Sequence, residues 1–444
     1  MARNYFGTDG IRGRVGDEPM TAEFALRLAS AAARVLAPNG GRVVIGKDTR
    51  VSGYMFEAAL EAGFIAAGMD VQLLGPLPTP GIAFLTKALD ADVGVVISAS
   101  HNPYFDNGIK FFDADGMKLP DSVEEEIERH LTEPAITRDS SSLGRAKRID
   151  SAREDYQRFC LSTVPAGFSL DKLKIVLDCS HGAGYKVAPR VMTELGAEII
   201  PIGCSPNGKN INDSCGTTHP DLMTVTVKAV GADLGIAFDG DGDRVLMVDH
   251  VGNLIDGDQL LYILAKDWHA SGQLNGPVVG TLMTNLGLER ALGQIGIDFR
   301  RANVGDRYVM AMLNEIGGKL GGETSGHLLC LDKTTTGDGL VSALQVLVVM
   351  IGTGQSLAEL AGGMPRFPQV LINVRTESRV DLDASAEIQS AIRNVEQKIA
   401  NRGRVLVRAS GTEPVVRVMV EGEDESEVSQ LAEELAKEIG RVTA

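Results

Sequence analysis

Aromatic residues and cysteines are scarce in this sequence. Aromatics make up 5% of the 444 residues, with a single tryptophan, so an extended stacking platform for single-stranded nucleic acid is not expected. The five cysteines are scattered, odd in number and free of any C-x-x-C pair, which disfavours both a disulfide framework and a zinc site. We expect them to be reduced structural residues.

Long hydrophobic runs and excess positive charge are also missing. The longest apolar run, Leu340–Gly352, is too short to span a bilayer, and the N-terminal residues lack the apolar core of a signal peptide. The net charge is −16, which opposes nonspecific binding to nucleic acid or to anionic membranes. The sequence therefore predicts a cytoplasmic protein with neither kind of partner.

Glycine, by contrast, is abundant, with 51 residues that recur between short β-branched runs. This punctuation is typical of α/β architecture. Strand and helix patterns alternate in three successive rounds, which favours mainly parallel sheets, and a smaller α+β part follows the link Met364–Gln369. We predict an α/β protein with three similar domains and a smaller C-terminal one. The expected boundaries are 1–152, 153–252, 253–365 and 366–444.

Each of the three rounds ends in a polar loop. These loops are Ser98–Pro103, Asp239–Arg244 and Glu323–His327. Open α/β sheets bind ligands beyond the carboxyl ends of their strands. We therefore expect the three loops to face one central cleft.

The loop Asp239–Arg244 places three carboxylates two residues apart, with glycines between them that allow the backbone to bend. Such carboxylates repel one another unless a cation joins them, and hard oxygen ligands suit magnesium or calcium. An EF-hand is excluded because Arg244 and His250 stand where that motif needs Gly and Glu. Magnesium is the predicted ion, and a solvated acidic turn is the weaker alternative.

The loop Ser98–Pro103 can present the Ser100 hydroxyl to a cleft. A serine hydroxyl is a poor nucleophile and needs a base or a metal, which His101, Lys110 or the aspartate-bound cation could supply. A Ser-His dipeptide alone is more often structural. The G-x-S-x-G elbow of hydrolases is absent from this loop, which disfavours an esterase.

Two further segments carry weaker signals. Arg408–Pro414, with Arg417 beyond it, resembles an anion cradle, although a hairpin turn with exposed arginines fits equally well. Glu323–His327 offers a carboxylate, hydroxyls and an imidazole that suit sugar hydroxyls. Gly41–Asp48 superficially resembles a nucleotide phosphate loop, but Asp48 stands where Ser or Thr should bind magnesium, so an ATPase is not expected.

In this order, the motifs are similar to those of the α-D-phosphohexomutases, and the match extends over essentially the whole chain. The segments Phe6–Gly13, Val304–Val309 and Arg408–Gly422 most resemble the branch that acts on glucosamine phosphates. The resemblance implies reversible conversion of glucosamine 6-phosphate to glucosamine 1-phosphate, through a phosphoserine and a glucosamine 1,6-bisphosphate that also serves as activator. It implies a mobile fourth domain and a product used for UDP-N-acetylglucosamine and cell-wall precursors.

The resemblance also assigns roles to individual residues. Ser100 is implied to be the phosphoserine, and Lys110 the better general-base candidate. The residues implied at the transfer site are Ser100, His101, Lys110, Arg12 and His327. The implied magnesium ligands are the Ser100 phosphate, Asp239, Asp241 and Asp243. The residues implied to contact substrate are Arg244, Glu323, Ser325, Arg408, Ser410, Gly411, Thr412 and Arg417.

Some alternatives stay open at this point. Ser98 replaces the Thr of many relatives, and Thr324 stands where Gln is expected in this branch, which leaves room for a glucose or mannose phosphate as substrate. A silent sugar-phosphate sensor and a phosphatase with water as acceptor are further alternatives. The sequence does not decide between a monomer and a homodimer.

Overall fold

The computed structural model describes residues 4–377, 381–382, 384–409 and 414–443. These residues form four β-sheets that succeed one another along the chain. No helix within these ranges is both long and apolar enough to cross a membrane. All five cysteines are free thiols, and four of them are buried, as the sequence predicts.

The first sheet has six strands in the order β1-β5-β4-β2-β3-β6, parallel from β4 to β6 and antiparallel at β1 and β5. Its elements are β1 (Ile11–Arg14), α1 (Ala22–Leu36), β2 (Gly41–Lys47), α2 (Gly53–Ala66), β3 (Met69–Pro76), α3 (Thr79–Ala88), β4 (Val93–Ile97), β5 (Asp106–Phe112), α4 (Asp121–His130) and β6 (Ala146–Arg148). Both faces are covered, because Val43 and Ile45 pack in one core and Val44 in another. This explains the continuous apolar run of β2.

The second sheet has the order β11-β10-β9-β7-β8, parallel from β9 to β8 and antiparallel at β10 and β11. Its elements are α5 (Ala152–Ser162), β7 (Lys174–Asp178), α6 (Val187–Glu194), β8 (Glu198–Ile202), α7 (Asp221–Val230), β9 (Leu234–Phe238), β10 (Val245–Asp249) and β11 (Leu254–Ile255).

The third sheet has the order β13-β12-β14-β15, with only β15 antiparallel. Its elements are α8 (Gly257–Ala270), β12 (Val278–Thr281), α9 (Leu286–Gln294), β13 (Phe299–Ala302), α10 (Asp306–Ile316), β14 (Leu320–Gly322), β15 (Leu328–Cys330), α11 (Gly339–Thr353) and α12 (Leu357–Ala361). The apolar run that includes Gln345 is thus a core helix, α11.

The fourth sheet is antiparallel, in the order β16-β18-β17. Its elements are β16 (Gln369–Arg375), α13 (Ala386–Ile399), β17 (Gly403–Ala409), β18 (Val415–Gly422) and α14 (Glu425–Thr443). Its apolar residues form a core of their own, whereas one of the other cores extends through the first three sheets. The predicted fold class, three mixed α/β sheets and a smaller α+β part, is confirmed. The domain boundaries stay a prediction.

Candidate active site

Ser100 follows β4 in a turn whose backbone is left-handed at that residue, with φ of 51°. Such a conformation is uncommon for a residue other than glycine and needs support from its surroundings. The Ser100 amide donates to Ser98 Oγ (3.0 Å), and its carbonyl accepts from Asn212 Nδ2 (2.9 Å) and Arg50 (3.2 Å). The buried hydroxyl donates to Asp239 Oδ2 at 2.6 Å. The turn therefore aims the serine oxygen at the second domain.

A fully buried ion pair between Asp48 and Arg50 holds this turn from behind. Ser98 Oγ donates to Asp48 Oδ2 (2.5 Å), and Arg50 donates to the Asn102 carbonyl (2.5 Å). Sequence reasoning missed both residues. The available signal was a pair of opposite charges directly after the buried strand β2, at the same sheet edge as Ser100.

The three aspartates of the loop between β9 and β10 converge as predicted. Asp239, Asp241 and Asp243 are buried, and one carboxylate oxygen from each lies within 4.8 Å of the others. Burial, together with repulsion from Asp243 and Asp241, raises the pKa of Asp239 well above its usual value. In the described part of the chain, Asp241 Oδ1 and Asp243 Oδ1 lack hydrogen-bond partners. Unsatisfied, mutually repelling hard oxygens fit a magnesium ion.

Lys110, on β5, supplies positive charge to this cluster. Its ammonium lies 2.8 Å from Asp9 Oδ2 and 2.9 Å from Asp241 Oδ2. Burial alone would lower the pKa of Lys110, but Asp241, Asp9 and Asp243 outweigh it and raise that pKa well above its usual value. In this arrangement Lys110 is a proton donor. The base role implied by the resemblance stays a prediction and requires the carboxylates to turn towards a cation.

His101 Nδ1 lies 3.3 Å from Ser100 Oγ. Burial and the positive charges of Arg244 and Arg12 lower the pKa of His101 to about 4. The imidazole is therefore neutral near pH 7, with a nitrogen beside the serine oxygen, but the same shift makes it a weak base.

His327 has the opposite character. Its Nδ1 lies 3.7 Å from Asp243 Oδ2 and its Nε2 3.4 Å from Asp306 Oδ2. Burial alone would lower the pKa of His327, but Asp243 and Asp306 raise it to about 9. His327 is therefore a cation near pH 7 and suits an anionic ligand.

A cleft of about 380 Å³ joins the first three domains. Among the predicted site residues, those that line it are Arg12, His101, Asp243, Arg244, Glu323 and His327. Glu323 Oε1 accepts the Gly305 amide at 3.0 Å. Ser325 is exposed and lies outside this lining. Two carboxylates that sequence reasoning did not single out, Asp9 and Asp306, also line the cleft.

The fourth domain presents two arginines side by side. Arg408 on β17 and Arg417 on β18 are direct cross-strand partners, and burial together with Arg417 lowers the pKa of Arg408. Like charges opposed across strands are destabilising, and among the described residues neither arginine has an ion-pair partner. The pair therefore suits an anion. The predicted cradle residues Ser410, Gly411 and Thr412 lie outside the described residues.

Comparison with known families matches four models of the phosphoglucomutase/phosphomannomutase group. These are α/β/α domain I over residues 3–137, α/β/α domain II over 155–252, α/β/α domain III over 256–367 and the C-terminal domain over 371–438. Together they span most of the chain in the expected order.

Individual relatives agree with this result. A phosphoglucosamine mutase of Aeromonas hydrophila is 56% identical over 440 residues, which is 99% of both chains. A putative phosphomannomutase structure from Thermus thermophilus superposes with a TM-score of 0.79 at 26% identity, covering 99% of both chains. N-acetylphosphoglucosamine mutase of Aspergillus fumigatus, in complex with GlcNAc-6P and magnesium, shares the fold at 18% identity and a TM-score of 0.73, over 100% and 96% of the two chains.

Proposed function

The chain belongs to the phosphoglucomutase/phosphomannomutase family, and from this premise we propose that it interconverts glucosamine 6-phosphate and glucosamine 1-phosphate. Identity of 56% over almost the whole length of a phosphoglucosamine mutase supports this activity. The mechanism rests mainly on the position of the Ser100 hydroxyl. Its oxygen lies 2.6 Å from Asp239 Oδ2, and Asp239 belongs to a buried cluster of three carboxylates that could hold a metal ion at the edge of the cleft.

In the proposed cycle, Ser100 begins as a phosphoserine. The bond between Ser100 Oγ and phosphorus breaks while a bond from the sugar O1 to phosphorus forms, which gives the 1,6-bisphosphate. The bisphosphate turns over in the cleft, and Ser100 then takes the phosphoryl group from O6. Phosphoryl transfer depends chiefly on alignment and charge neutralisation.

The charges of the cleft suit this transfer. We assign Arg12, Arg244 and the cationic His327 to the phosphoryl oxygens, and Asp239, Asp241 and Asp243 with the Ser100 phosphate to a magnesium ion. That ion, when bound, supplies further neutralisation of the phosphoryl charge.

The attacking sugar hydroxyl also has to lose a proton. His101 and Lys110 are the candidate acceptors. The neutral imidazole of His101 has a free nitrogen but is a weak base, because its pKa is lowered to about 4, whereas Lys110 must first release a proton that its neighbouring carboxylates stabilise. A proton acceptor at this place also serves the reverse direction as an acid.

We assign the remaining substrate contacts to the third and fourth domains. Glu323 and Ser325 hold sugar hydroxyls, and Arg408 and Arg417, with Ser410, Gly411 and Thr412, hold the phosphate that is not reacting. Two like-charged arginines without an ion-pair partner in the described part of the chain support this assignment. Closure of the fourth domain about Met364–Gln369 would keep water from the phosphoserine.

The proposal includes the cofactors and the setting of the reaction. Magnesium is the metal, glucosamine 1,6-bisphosphate is both intermediate and activator, and the enzyme works in the cytoplasm. Its product would supply UDP-N-acetylglucosamine and cell-wall precursor synthesis.

A coupled assay tests the proposed reaction. The purified chain is given glucosamine 6-phosphate, magnesium and a trace of the 1,6-bisphosphate, and formation of glucosamine 1-phosphate is followed, with glucose and mannose phosphates in parallel. We expect the highest kcat/KM with the amino sugar. Preference for glucose or mannose phosphate would move the chain to another branch of the family, and release of inorganic phosphate without isomerised sugar would replace the mutase by a phosphatase.

A further inference from the structure

The link between the third and fourth domains is fixed to the start of helix α9. Asn285 caps this helix and also binds both backbone groups of Phe367, with Oδ1 accepting the amide at 3.1 Å and Nδ2 donating to the carbonyl at 2.9 Å. A side chain at Gly287 is excluded, because its Cβ would lie 1.7 Å from the Pro365 carbonyl oxygen. The link and the helix cap are therefore in close contact over several residues.

The same helix cap is tied to the sugar loop through one buried carboxylate. Asp258, in the first turn of α8, is fully buried, and its Oδ2 accepts both the Asn285 amide and the Thr324 hydroxyl at 2.8 Å. Thr324 follows Glu323 directly, yet its hydroxyl turns towards Asp258, and Thr324 does not line the cleft. The Thr324 carbonyl accepts the Gly257 amide at 3.1 Å. Movement of the sugar loop is thereby linked to the position of α9.

A third connection reaches α9 from the fourth sheet. Glu421 on β18 is fully buried and accepts the Leu286 amide (2.8 Å) and Arg404 Nε (2.6 Å). Arg404 in turn donates to the carbonyls of Leu282 (2.7 Å) and Thr284 (2.8 Å). Arg417 lies four residues before Glu421 on the same strand, about 13 Å away at the usual strand rise. One end of the sheet is thus held against the third domain while the other carries the arginine pair, so closure of the fourth domain would move the arginine pair about this held end.

We propose that this junction, formed by Asp258, Asn285 and Glu421 around the start of α9, sets the distance between the sugar loop and the arginine pair and so retains the bisphosphate while it turns. The three are positioning residues, because none of them lines the cleft. The inference rests on the proposed function, in which the bisphosphate is held at once by the sugar loop and by the arginines. If the sugar loop and the arginine pair moved independently, the bisphosphate would lose its contacts with one of them and dissociate before Ser100 received the second phosphate.

Thr324→Val is the sharpest test, since it removes one hydroxyl from the junction and nearly preserves the side-chain shape. Loss of one buried hydrogen bond should raise the rate of bisphosphate release by about tenfold. Release is measured as the escape of labelled glucosamine 1,6-bisphosphate during turnover. We also expect kcat without added bisphosphate to fall and to recover when bisphosphate is added, with KM for glucosamine 6-phosphate nearly unchanged.

Asp249→Asn is the matched control. Asp249 is also a buried carboxylate that accepts backbone amides, those of Val251 and Asn253, but it lies in the second domain away from the junction. This variant should lose thermal stability without faster bisphosphate release. Equal release from wild type and Thr324→Val, or equally increased release from both variants, would overturn the proposal.

Amide hydrogen exchange without substrate separates this inference from the proposed function. The Leu286 and Phe367 amides both donate within the junction, and we expect both to exchange faster in Thr324→Val than in wild type. If wild type fails to isomerise the sugar but this difference appears, the proposed reaction is wrong and the coupling stands. Unchanged exchange at both amides would overturn the coupling even in an active enzyme.

Discussion

The two ends of the proposed substrate site carry their charges in opposite ways. Around Ser100, acids and bases alternate in a buried cluster, where Lys110 contacts both Asp9 and Asp241 within 3 Å. In the fourth domain, Arg408 and Arg417 face each other, and no described residue pairs with either. The charges at the first end are already in place to stabilise the charge that develops during the proposed phosphoryl transfer. The second has no counter-charge among the described residues, and we propose that a bound anion supplies it.

Removal of the serine oxygen should have the largest effect. Ser100→Ala deletes the atom that we assign to the phosphoryl group, so turnover should fall to background, by a factor on the order of 10⁴ or more. The fold should persist, because the backbone bonds of the turn to Ser98, Asn212 and Arg50 do not use the hydroxyl. Turnover and circular dichroism are measured together. Near-normal activity in a folded variant would place the nucleophile elsewhere.

Weakening the carboxylate cluster should have the next largest effect. Asp241→Asn removes one negative charge from the proposed magnesium site, and we expect the magnesium concentration for half-maximal activity to rise at least about tenfold. A magnesium titration of activity checks this, with Asp249→Asn as a buried carboxylate control in the same domain. Identical magnesium curves for wild type and Asp241→Asn would contradict the assignment of the metal.

The sequence predicted the loops of the transfer site better than the strands that follow them. The loops Ser98–Pro103 and Asp239–Arg244 each follow a short apolar run after a glycine-punctuated helix, so local pattern placed them at strand ends. In the structure a strand also follows each loop, β5 (Asp106–Phe112) after the first and β10 (Val245–Asp249) after the second, and neither of these two strands was predicted. Lys110 lies on β5. The residues alone offered it as one of several groups that could activate Ser100, and the family resemblance made it the preferred base.

Contacts between distant segments were beyond prediction for a different reason. Asp48 and Arg50 support the Ser100 turn although they lie about fifty residues away in the sequence. The periodicity of apolar residues along a helix or strand carries no information on such a contact. The pairing of Arg408 with Arg417 depends on the register of β17 and β18, which the sequences of the two strands do not fix by themselves. The predicted loops were thus local features, whereas the missed contacts are tertiary.

Loss of one arginine should have a smaller effect, confined to binding. Arg417→Ala removes one cation from the proposed phosphate site, so KM should rise on the order of 10- to 100-fold, as expected for hydrogen bonds to a charged group. The value of kcat should change much less, because the transfer site lies in other domains. Arg393→Ala, an exposed position on α13, makes the same change in net charge and should leave KM unaltered. An unaltered KM in Arg417→Ala would remove this residue from the site.

We expect the smallest effect from Arg408→Ala, on stability, and this variant tests most directly whether the charges of the two ends differ as described. If the arginine pair is incomplete without an anion, Arg408→Ala should cost no stability in phosphate-free buffer and could gain a few tenths of a kcal/mol from the relieved repulsion. Inorganic phosphate should then raise the melting temperature of wild type more than that of the variant, because a ligand stabilises only the form that binds it. Sodium chloride at matched ionic strength controls for screening. A variant that melts well below wild type in phosphate-free buffer would show that the two arginines already stabilise the free protein, and the contrast between the two ends of the proposed substrate site would fail.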